Sequence, residues 1–316
     1  MARDNDTNGW PALSREAGRD TWDALQLWNQ IPGKVRLAVT PWVNHSWHAT
    51  HYVTTRGLTT STIPYAKRPF RIDFDFIDHE VLVQTADGAE RRVALAPQSV
   101  ATFHAKLMAA LAELELDVHI NGTPNEVPDA VPFVEDRRER PYDPDAAHAF
   151  WRALLQIDRV FSWFRTGFVG KVSPVHLFWG SFDLAVTRFS GRRAPLHPGG
   201  IPNLPDEVTR EAYSHEVSSA GFWPGGNGVE YPAFYSYAYP APKGFADAPV
   251  GPDAAFYEQN LGEFVLPYDA VRSAANPDQT LLEFLQSSYE AAANNAGWPR
   301  AELECPLGVP LVPRPI

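Results

Sequence analysis

Ionisable side chains are embedded in aromatic and apolar sequence between residues 171 and 226. They are His176, Asp183, Arg188, His215 and Glu216. Moving such groups out of water costs several kcal/mol unless each one finds a partner. The segment therefore predicts either a functional site or an internal network of ion pairs.

His215 and Glu216 are the first candidates for acid–base chemistry. Imidazole titrates near neutral pH, which suits it to proton transfer and to metal binding. Because the two residues are neighbours, their side chains diverge on a strand, and only one of them faces a given cavity. Glu216 lies among serines and is interpreted either as a general base or as a solvated side chain.

His176, Asp183 and Arg188 fall in a segment with strand character. A strand from Val175 to Arg188 would be about twice the usual length, so we expect a break or bulge, most naturally at Gly180. With a bulge His176 and Asp183 could converge, Asp183 would orient a histidine or act as a metal ligand, and Arg188 would anchor an anionic substrate group. The alternative is a structural Asp183–Arg188 ion pair beside a buried histidine.

Three further histidines, His45, His48 and His51, have a spacing that suggests a metal motif. On a regular strand His45 and His51 would share a face about 20 Å apart and His48 would face the other way, so a shared ion requires a bend at 44–47. One hypothesis is a divalent metal such as zinc or iron. Its ligands would be His45, His48, His176 and His215. The alternative is a set of polar strand histidines with ordinary hydrogen-bond partners.

Aromatic residues are abundant, with ten Trp, eleven Tyr and eighteen Phe. Trp179, Trp223 and the segment Tyr231–Tyr239 could stack a ring-shaped ligand, and an aromatic core explains them equally well. The sequence contains no Walker, Rossmann or nucleophile-elbow pattern.

Periodicity indicates which elements carry these residues. Residues 20–30 read as a helix, and strands are predicted at 34–43 and 44–55. Alternating apolar residues from Phe70 onwards, with short turns, predict an antiparallel meander up to Leu95. Helices are predicted after Pro97, Asp143 and Asn276, and strands near 173–189, 214–222, 231–239 and 262–267.

The predicted fold class is α+β, with antiparallel sheets flanked by helices. Each half runs helix, strands, helix, which suggests a duplicated helix–meander–helix unit with a cleft between its halves. The predicted units are a first half at 14–122, an irregular connector at 123–143, a second half at 144–300 and an extended proline-rich tail at 301–316.

Composition limits the classes of partner. The net charge of −11 argues against nucleic acid and against anionic membranes, because both are bound through Lys and Arg. The single cysteine, Cys305, excludes an intrachain disulfide and fits a cytoplasmic location. We expect no signal peptide in the first eight residues and no membrane span. No feature of the sequence fixes an oligomeric state.

Several long motifs resemble a bacterial family of uncharacterised proteins defined only as a domain of unknown function. The motifs are 173–193, 213–226, the segment Pro41–His48, and the segment Leu58–Pro64. The resemblance covers about residues 14–300. An aliphatic residue is usual in the family at His51, which argues against His51 as a ligand. The resemblance implies a protein that dissolves in water and brings no established reaction.

The sequence thus favours an enzyme that acts on a small polar or anionic molecule by acid–base or metal-assisted chemistry. Its catalytic groups would be His215, Glu216, His176 and Asp183, and its substrate contacts Arg188, Trp179 and Trp223. The alternative is a non-catalytic binding protein for an aromatic or sugar-like small molecule. A third is a structural protein with internal ion pairs.

Overall fold

The computed structural model describes residues 9–226 and 229–314 of the chain. The prediction about a signal peptide concerns residues outside this part. The helices described are α1 Arg15–Val39, α2 Val100–Glu113, α3 Pro144–Thr166, α4 Asp206–Ala212, α5 Tyr268–Arg272, α6 Pro277–Asn295 and α7 Arg300–Leu303. A short 3-10 turn spans Asn44–Ser46.

The strands form antiparallel sheets, which confirms the α+β fold class. Those of the first half are β1 Tyr52–Val53, β2 Gly57–Thr59, β3 Phe70–Asp75, β4 Glu80–Thr85, β5 Glu90–Ala94 and β6 Gln98–Ser99. The remaining strands are β7 Glu139–Arg140, β8 His176–Phe178, β9 Asp183–Arg193, β10 His215–Trp223, β11 Ala233–Tyr239, β12 Phe256–Glu258 and β13 Glu263–Pro267.

The first five strands form a meander in the order β1-β2-β3-β4-β5, as the sequence predicted. Alternate residues of β3, namely Phe70, Ile72 and Phe74, are buried on one face. Helix α2 covers that face, and the rings of Phe74 and Phe103 lie 6.4 Å apart. The alternation of apolar and polar residues therefore predicted this sheet correctly, because one of its faces is buried and the other is exposed to solvent.

The prediction of a strand at 34–43 was wrong, because α1 continues to Val39. Pro32 and Gly33 suggested a stop, yet the buried stripe of Trp28, Ile31 and Val35 keeps helical spacing across them. Tertiary burial of this stripe outweighs the local cost of a proline inside the helix. The strand predicted at 44–55 is also largely absent, because the chain bends through the 3-10 turn before β1.

The second sheet has six strands in the order β12-β13-β11-β10-β9-β8. Helices α3 and α6 pack on one of its faces, where Phe161 and Phe234 have ring centroids 6.3 Å apart. Because side chains alternate along a strand, Leu184 and Val186 of β9 are buried towards these helices, and their odd-numbered neighbours point to the other face. That other face opens onto a large cavity.

The predicted break near Gly180 is a tight turn that joins β8 to β9 as antiparallel neighbours. His176 pairs with Ala185, and Phe178 pairs with Asp183. The two sheets are also joined, because the backbones of His51 and Leu177 exchange hydrogen bonds of 2.9 and 2.8 Å.

Residues of both predicted halves share one hydrophobic core, in which the rings of Trp22 and Phe150 lie 5.9 Å apart. The duplication stays a prediction, and the two sheets differ in strand order. Across residues 9–226 and 229–314, no helix has the length and apolar character that a membrane span requires.

Gly33 sets the distance between α1 and the indole ring of Trp179. A Cβ atom at Gly33 would lie 2.4 Å from Cδ1 of Trp179, and the ring is held by a 2.7 Å hydrogen bond from its Nε1 to the Ala49 carbonyl. We therefore expect Gly33→Ala to lower the free energy of unfolding by about 1–3 kcal/mol, measured by urea denaturation. Gly122→Ala is the control, because a Cβ there meets no atom within 4 Å. Equal stability of both variants would contradict the close approach.

Candidate functional site

A cavity of about 1140 Å³ lies on the face of the six-stranded sheet opposite α3 and α6. Its floor consists of the odd-numbered side chains of β9, β10 and β11 together with the start of β13. Its walls are the second half of α1, the turn at Asn44–Ser46, residues 121–126 of the predicted connector, and the chain from 201 to the end of α4. The long loop before α4 therefore closes one side of the cavity.

Asp183 begins β9 and is buried on the floor of the cavity. One of its carboxylate oxygens accepts a hydrogen bond from the Ser181 hydroxyl and the other accepts one from the Tyr235 hydroxyl. Burial raises the pKa of Asp183, and these two hydrogen bonds partly offset that rise.

Glu126 approaches Asp183 from the connector. A Cβ atom on Gly180 would lie 2.1 Å from Oε1 of Glu126, so glycine at position 180 leaves room for this carboxyl group against the β8–β9 turn. Helix α1 holds this part of the connector in place. The Gln30 side chain accepts a hydrogen bond from the Asn125 amide at 2.8 Å and donates one to the Asn125 carbonyl at 3.0 Å.

Glu263 supplies a third carboxyl group from the beginning of β13. Burial raises the pKa of Glu126 and of Glu263 to about 7, and the charge of Asp183 contributes to both shifts. The three carboxyl groups therefore titrate as an interacting set. Among the described residues, no Lys, Arg or His forms an ion pair with any of them.

Three tyrosines stand beside the carboxyl groups. The hydroxyls of Tyr213 and Tyr237 are hydrogen-bonded at 2.7 Å, and the rings of Tyr235 and Tyr237 stack with centroids 6.0 Å apart. The ring of Trp223 lies 5.0 Å from that of Tyr235. Burial raises the pKa of Tyr213 to about 12 and that of Tyr235 still further above its usual value, so these phenols are neutral at physiological pH.

Lys34 lines the cavity from within α1. Its Nζ donates a hydrogen bond to Oδ1 of Asn125 and lies 5.6 Å from the centre of the Trp179 ring. Burial lowers the pKa of Lys34 to about 8, and no neighbouring charge contributes to that shift. The ammonium group forms no ion pair with the three carboxyl groups.

His45 lines the mouth of the cavity and is neutral. Its backbone amide donates to Oε2 of Glu211 at 2.7 Å, and its Nδ1 lies 2.8 Å from the Ala212 carbonyl. Lys171 can only donate, so its Nζ at 2.5 Å assigns Nε2 of His45 as the acceptor and Nδ1 as the protonated nitrogen. Burial also lowers the pKa of His45.

Of the residues named from the sequence, four line the cavity. They are Asp183, Trp179, Trp223 and His45. The structure does not bring the others into this set. His176 lies beneath Trp47 and Phe178, fully buried, and neither of its ring nitrogens has a hydrogen-bond partner.

Arg188 and Glu216 have partners away from the cavity. Arg188 faces the helices, where its guanidinium lies 3.5 Å from the centre of the Phe164 ring and donates to the Phe164 carbonyl at 2.7 Å. It forms no ion pair with Asp183, because residues five apart on a strand point to opposite faces. Glu216 lies at a bulge in β10 and accepts hydrogen bonds from Arg192 at 2.7 Å and Ser190 at 2.9 Å.

The histidines named as metal ligands occupy separate environments. His48 packs on Trp42 and bonds the Val43 backbone, and His51 bonds Asn29 at 2.7 Å. His215 bonds the Ser214 hydroxyl at 3.1 Å, and its ring centre lies 6.3 Å from that of His45. In the part of the chain that the structure covers, no three His, Cys, Asp or Glu residues are arranged to hold a metal ion.

Sequence reasoning missed Glu126, Glu263, Lys34 and the roles of Tyr213 and Tyr235. Glu126 lies in the irregular connector, where no periodicity indicates which side chains face inwards. The clearest signal was the aromatic run Tyr231–Tyr239, whose alternation puts Tyr235 and Tyr237 on one face of a strand.

The fold and the site define an α+β protein with an acidic, aromatic-lined cavity on one face of its larger sheet. The chain belongs to a family of unknown function, DUF5996, whose family model matches residues 10–305. This match confirms the resemblance found in the sequence. No curated protein and no solved structure matches the chain.

Glu126→Gln tests whether this carboxyl group is held in the cavity in a protonated form. Because the pKa of Glu126 rises from 4.5 to about 7 on folding, wild-type stability should fall as the pH increases through that interval. Glutamine removes this loss, so the variant should gain at most about 3 kcal/mol at pH 8 and nothing below pH 4.5, measured by urea denaturation. Glu216→Gln is the control and should gain no stability at pH 8, because it breaks an ion pair with Arg192. An alkaline gain in both variants would argue against the assignment.

His176→Phe tests the role of the buried histidine. Burial lowers the pKa of His176 from 6.5 to about 3, so wild-type stability should be lost as the pH falls below 6.5. Phenylalanine removes the titration and the unpartnered nitrogens, and should reduce the loss between pH 7 and pH 4 by up to about 3 kcal/mol. Denaturant unfolding at both pH values measures this. The same acid sensitivity in both proteins would contradict a neutral, structural His176.

Proposed function

We propose that the protein is an enzyme that binds a small organic molecule in this cavity and acts on it by general acid–base catalysis. The observation that carries the proposal is Glu126, a deeply placed carboxyl group that faces the cavity. It has no side-chain hydrogen bond or ion pair to any described residue, so its proton is available to a bound molecule.

The pKa of Glu126 suits proton transfer. A catalytic acid or base works best when its pKa lies near the operating pH, and burial raises the pKa of this carboxyl group to about 7. Glu263 has a similar pKa for the same reason. We assign Glu126 and Glu263 as the groups that exchange protons with the substrate.

Asp183 and Tyr235 have a supporting role in this proposal. Asp183 accepts hydrogen bonds on both carboxylate oxygens, which favours its ionised form over that of its neighbours. Its negative charge then keeps the protons of Glu126 and Glu263 in place. The Tyr235 hydroxyl fixes the position of Asp183.

The aromatic side chains support a substrate with an apolar or ring-shaped part. Trp179, Trp223 and Tyr235 line the cavity, and about 1140 Å³ is ample for a small molecule. An anionic substrate, which the sequence suggested through Arg188, is disfavoured because Arg188 faces the helices and three carboxyl groups face the cavity.

A non-catalytic binding protein is the second candidate. Its support is that both oxygens of Asp183 are occupied by Ser181 and Tyr235, as they would be in a carboxylate that only shapes the cavity. A cytoplasmic location and the absence of nucleic-acid or anionic-membrane partners also remain proposals, supported by the unpaired Cys305 and the net charge of −11.

A ligand screen followed by a turnover assay separates the two candidates. Binding is detected by the fluorescence of the cavity tryptophans and by a rise in melting temperature, and each ligand that binds is incubated with the protein and followed by NMR. For an enzyme, Glu126→Gln/Glu263→Gln should lose at least about 100-fold in turnover at saturating ligand concentration, because general acid–base groups contribute about that much.

Glu216→Gln is the matched control and should retain both binding and turnover, because its carboxyl group lies outside the cavity. Binding without any turnover in the wild-type protein would favour the binding protein. Full turnover in the double variant would overturn the assignment of the catalytic groups.

A further inference from the structure

We infer that the molecule bound in the cavity carries a cationic nitrogen, held by Glu126, Asp183 and Glu263 against the rings of Trp223 and Tyr235. This inference rests on the proposed function and adds the chemical class of the substrate.

The three carboxyl groups of the cavity have no ion-pair partner among the described residues. Three carboxyl groups face one cavity, and the charge of Asp183 acts on both Glu126 and Glu263. Negative charges that share a partly buried cavity repel one another, and either protonation or a nearby cation relieves that repulsion. The described residues form no ion pair with these carboxyl groups, so a positively charged ligand would supply the countercharge.

The two lysines near the cavity make contacts with residues other than the three carboxyl groups. Lys34 bonds Asn125 and lies against Trp179, and Lys171 contacts His45 and lies 4.8 Å from the centre of the Phe189 ring. Neither forms an ion pair with Glu126 or Glu263. The carboxyl end of the cavity therefore keeps its negative potential.

Aromatic rings line the cavity beside these carboxyl groups. Trp223 and Tyr235 meet with ring centroids 5.0 Å apart and an interplanar angle of 46°, and Tyr237 stacks on Tyr235. Tilted indole and phenol faces next to carboxylates form the arrangement that binds ammonium groups by cation–π and ionic attraction together. Ser181 and Tyr235 already fix Asp183, so little reorganisation is needed on binding.

A bound cation would also change the chemistry of Glu126. An adjacent positive charge favours the ionised carboxylate, so binding would release protons and convert Glu126 from an acid into a base. The titratable groups that line the cavity with it are Asp183, Glu263, Lys34, His45 and the hydroxyls of Tyr213, Tyr235 and Tyr237. Cation affinity should therefore rise as the pH increases through about 7.

Isosteric ligand pairs provide the test. Tyramine is compared with tyrosol, and choline with 3,3-dimethylbutan-1-ol, because each pair differs mainly in the charged nitrogen. Isothermal titration calorimetry of the full chain near pH 8 should show the cation binding at least about tenfold more tightly, with a smaller preference near pH 5.5. Repeating the titration near pH 7 in buffers of different ionisation enthalpy should show protons released on binding of the cation only.

Two variants test whether the preference for the cationic ligand depends on these carboxyl groups. Glu126→Gln/Glu263→Gln should reduce the preference for the cation by at least about tenfold and leave binding of the neutral partner unchanged. Glu216→Gln should keep the wild-type preference, which excludes a general effect of removing negative charge.

The outcomes distinguish this inference from the function on which it rests. Equal affinity for the charged and neutral members of both pairs would overturn the inference and leave the acid–base proposal standing. A preference that persists in the double variant would overturn the assignment to these carboxyl groups. No binding by any of the four probes to folded protein would overturn the inference, and the proposed function would then be decided by the wider ligand screen.

Discussion

The burial of Asp183 at the start of β9 constrains everything around the cavity. A carboxylate in that position needs donors, and it receives them from Ser181 in the preceding turn and from Tyr235 two strands away in the sheet. Tyr235 must therefore lie flat on the sheet, and the chain must turn tightly between β8 and β9. The same turn contains the glycine on which Glu126 rests. One buried charge thus links two strands, a turn and the connector.

Because side chains alternate along each strand of the six-stranded sheet, one face of the sheet forms part of the core and the other lines the cavity. On one face, Leu184, Val186 and Phe234 pack against the helices in the common core, and Arg188 is held there by aromatic rings. On the other face, Asp183 and Tyr235 meet the cavity. Changes on the cavity face can therefore alter the chemistry without opening the core, since neighbouring residues of one strand belong to different environments.

Local patterns in the sequence were sufficient for much of the fold and for part of the site. The meander from Phe70 and the capped helices α3 and α6 were predictable because burial on one face imposes a period. The end of α1 was missed because Pro32 and Gly33 are poor helix formers whose cost is outweighed by distant packing. Asp183 was found because a charge in apolar sequence is visible locally. Glu126 was not, because its position depends on a hydrogen bond network with α1 and on a glycine 54 positions later.

The backbone pairing of His51 with Leu177 has a consequence for how the molecule behaves in crowded solution. It places β1, an edge strand of the five-stranded sheet, beside β8, an edge strand of the six-stranded sheet. Each of these edges therefore covers the other, and neither is open to a strand of another chain. The outer strands of these two sheets are then β5, which carries the exposed charges of Glu90, Arg91 and Arg92, and β12, which has three residues. Charged or very short margins discourage strand addition by other chains. In a protein so rich in aromatic residues, such edges disfavour self-association through the sheets.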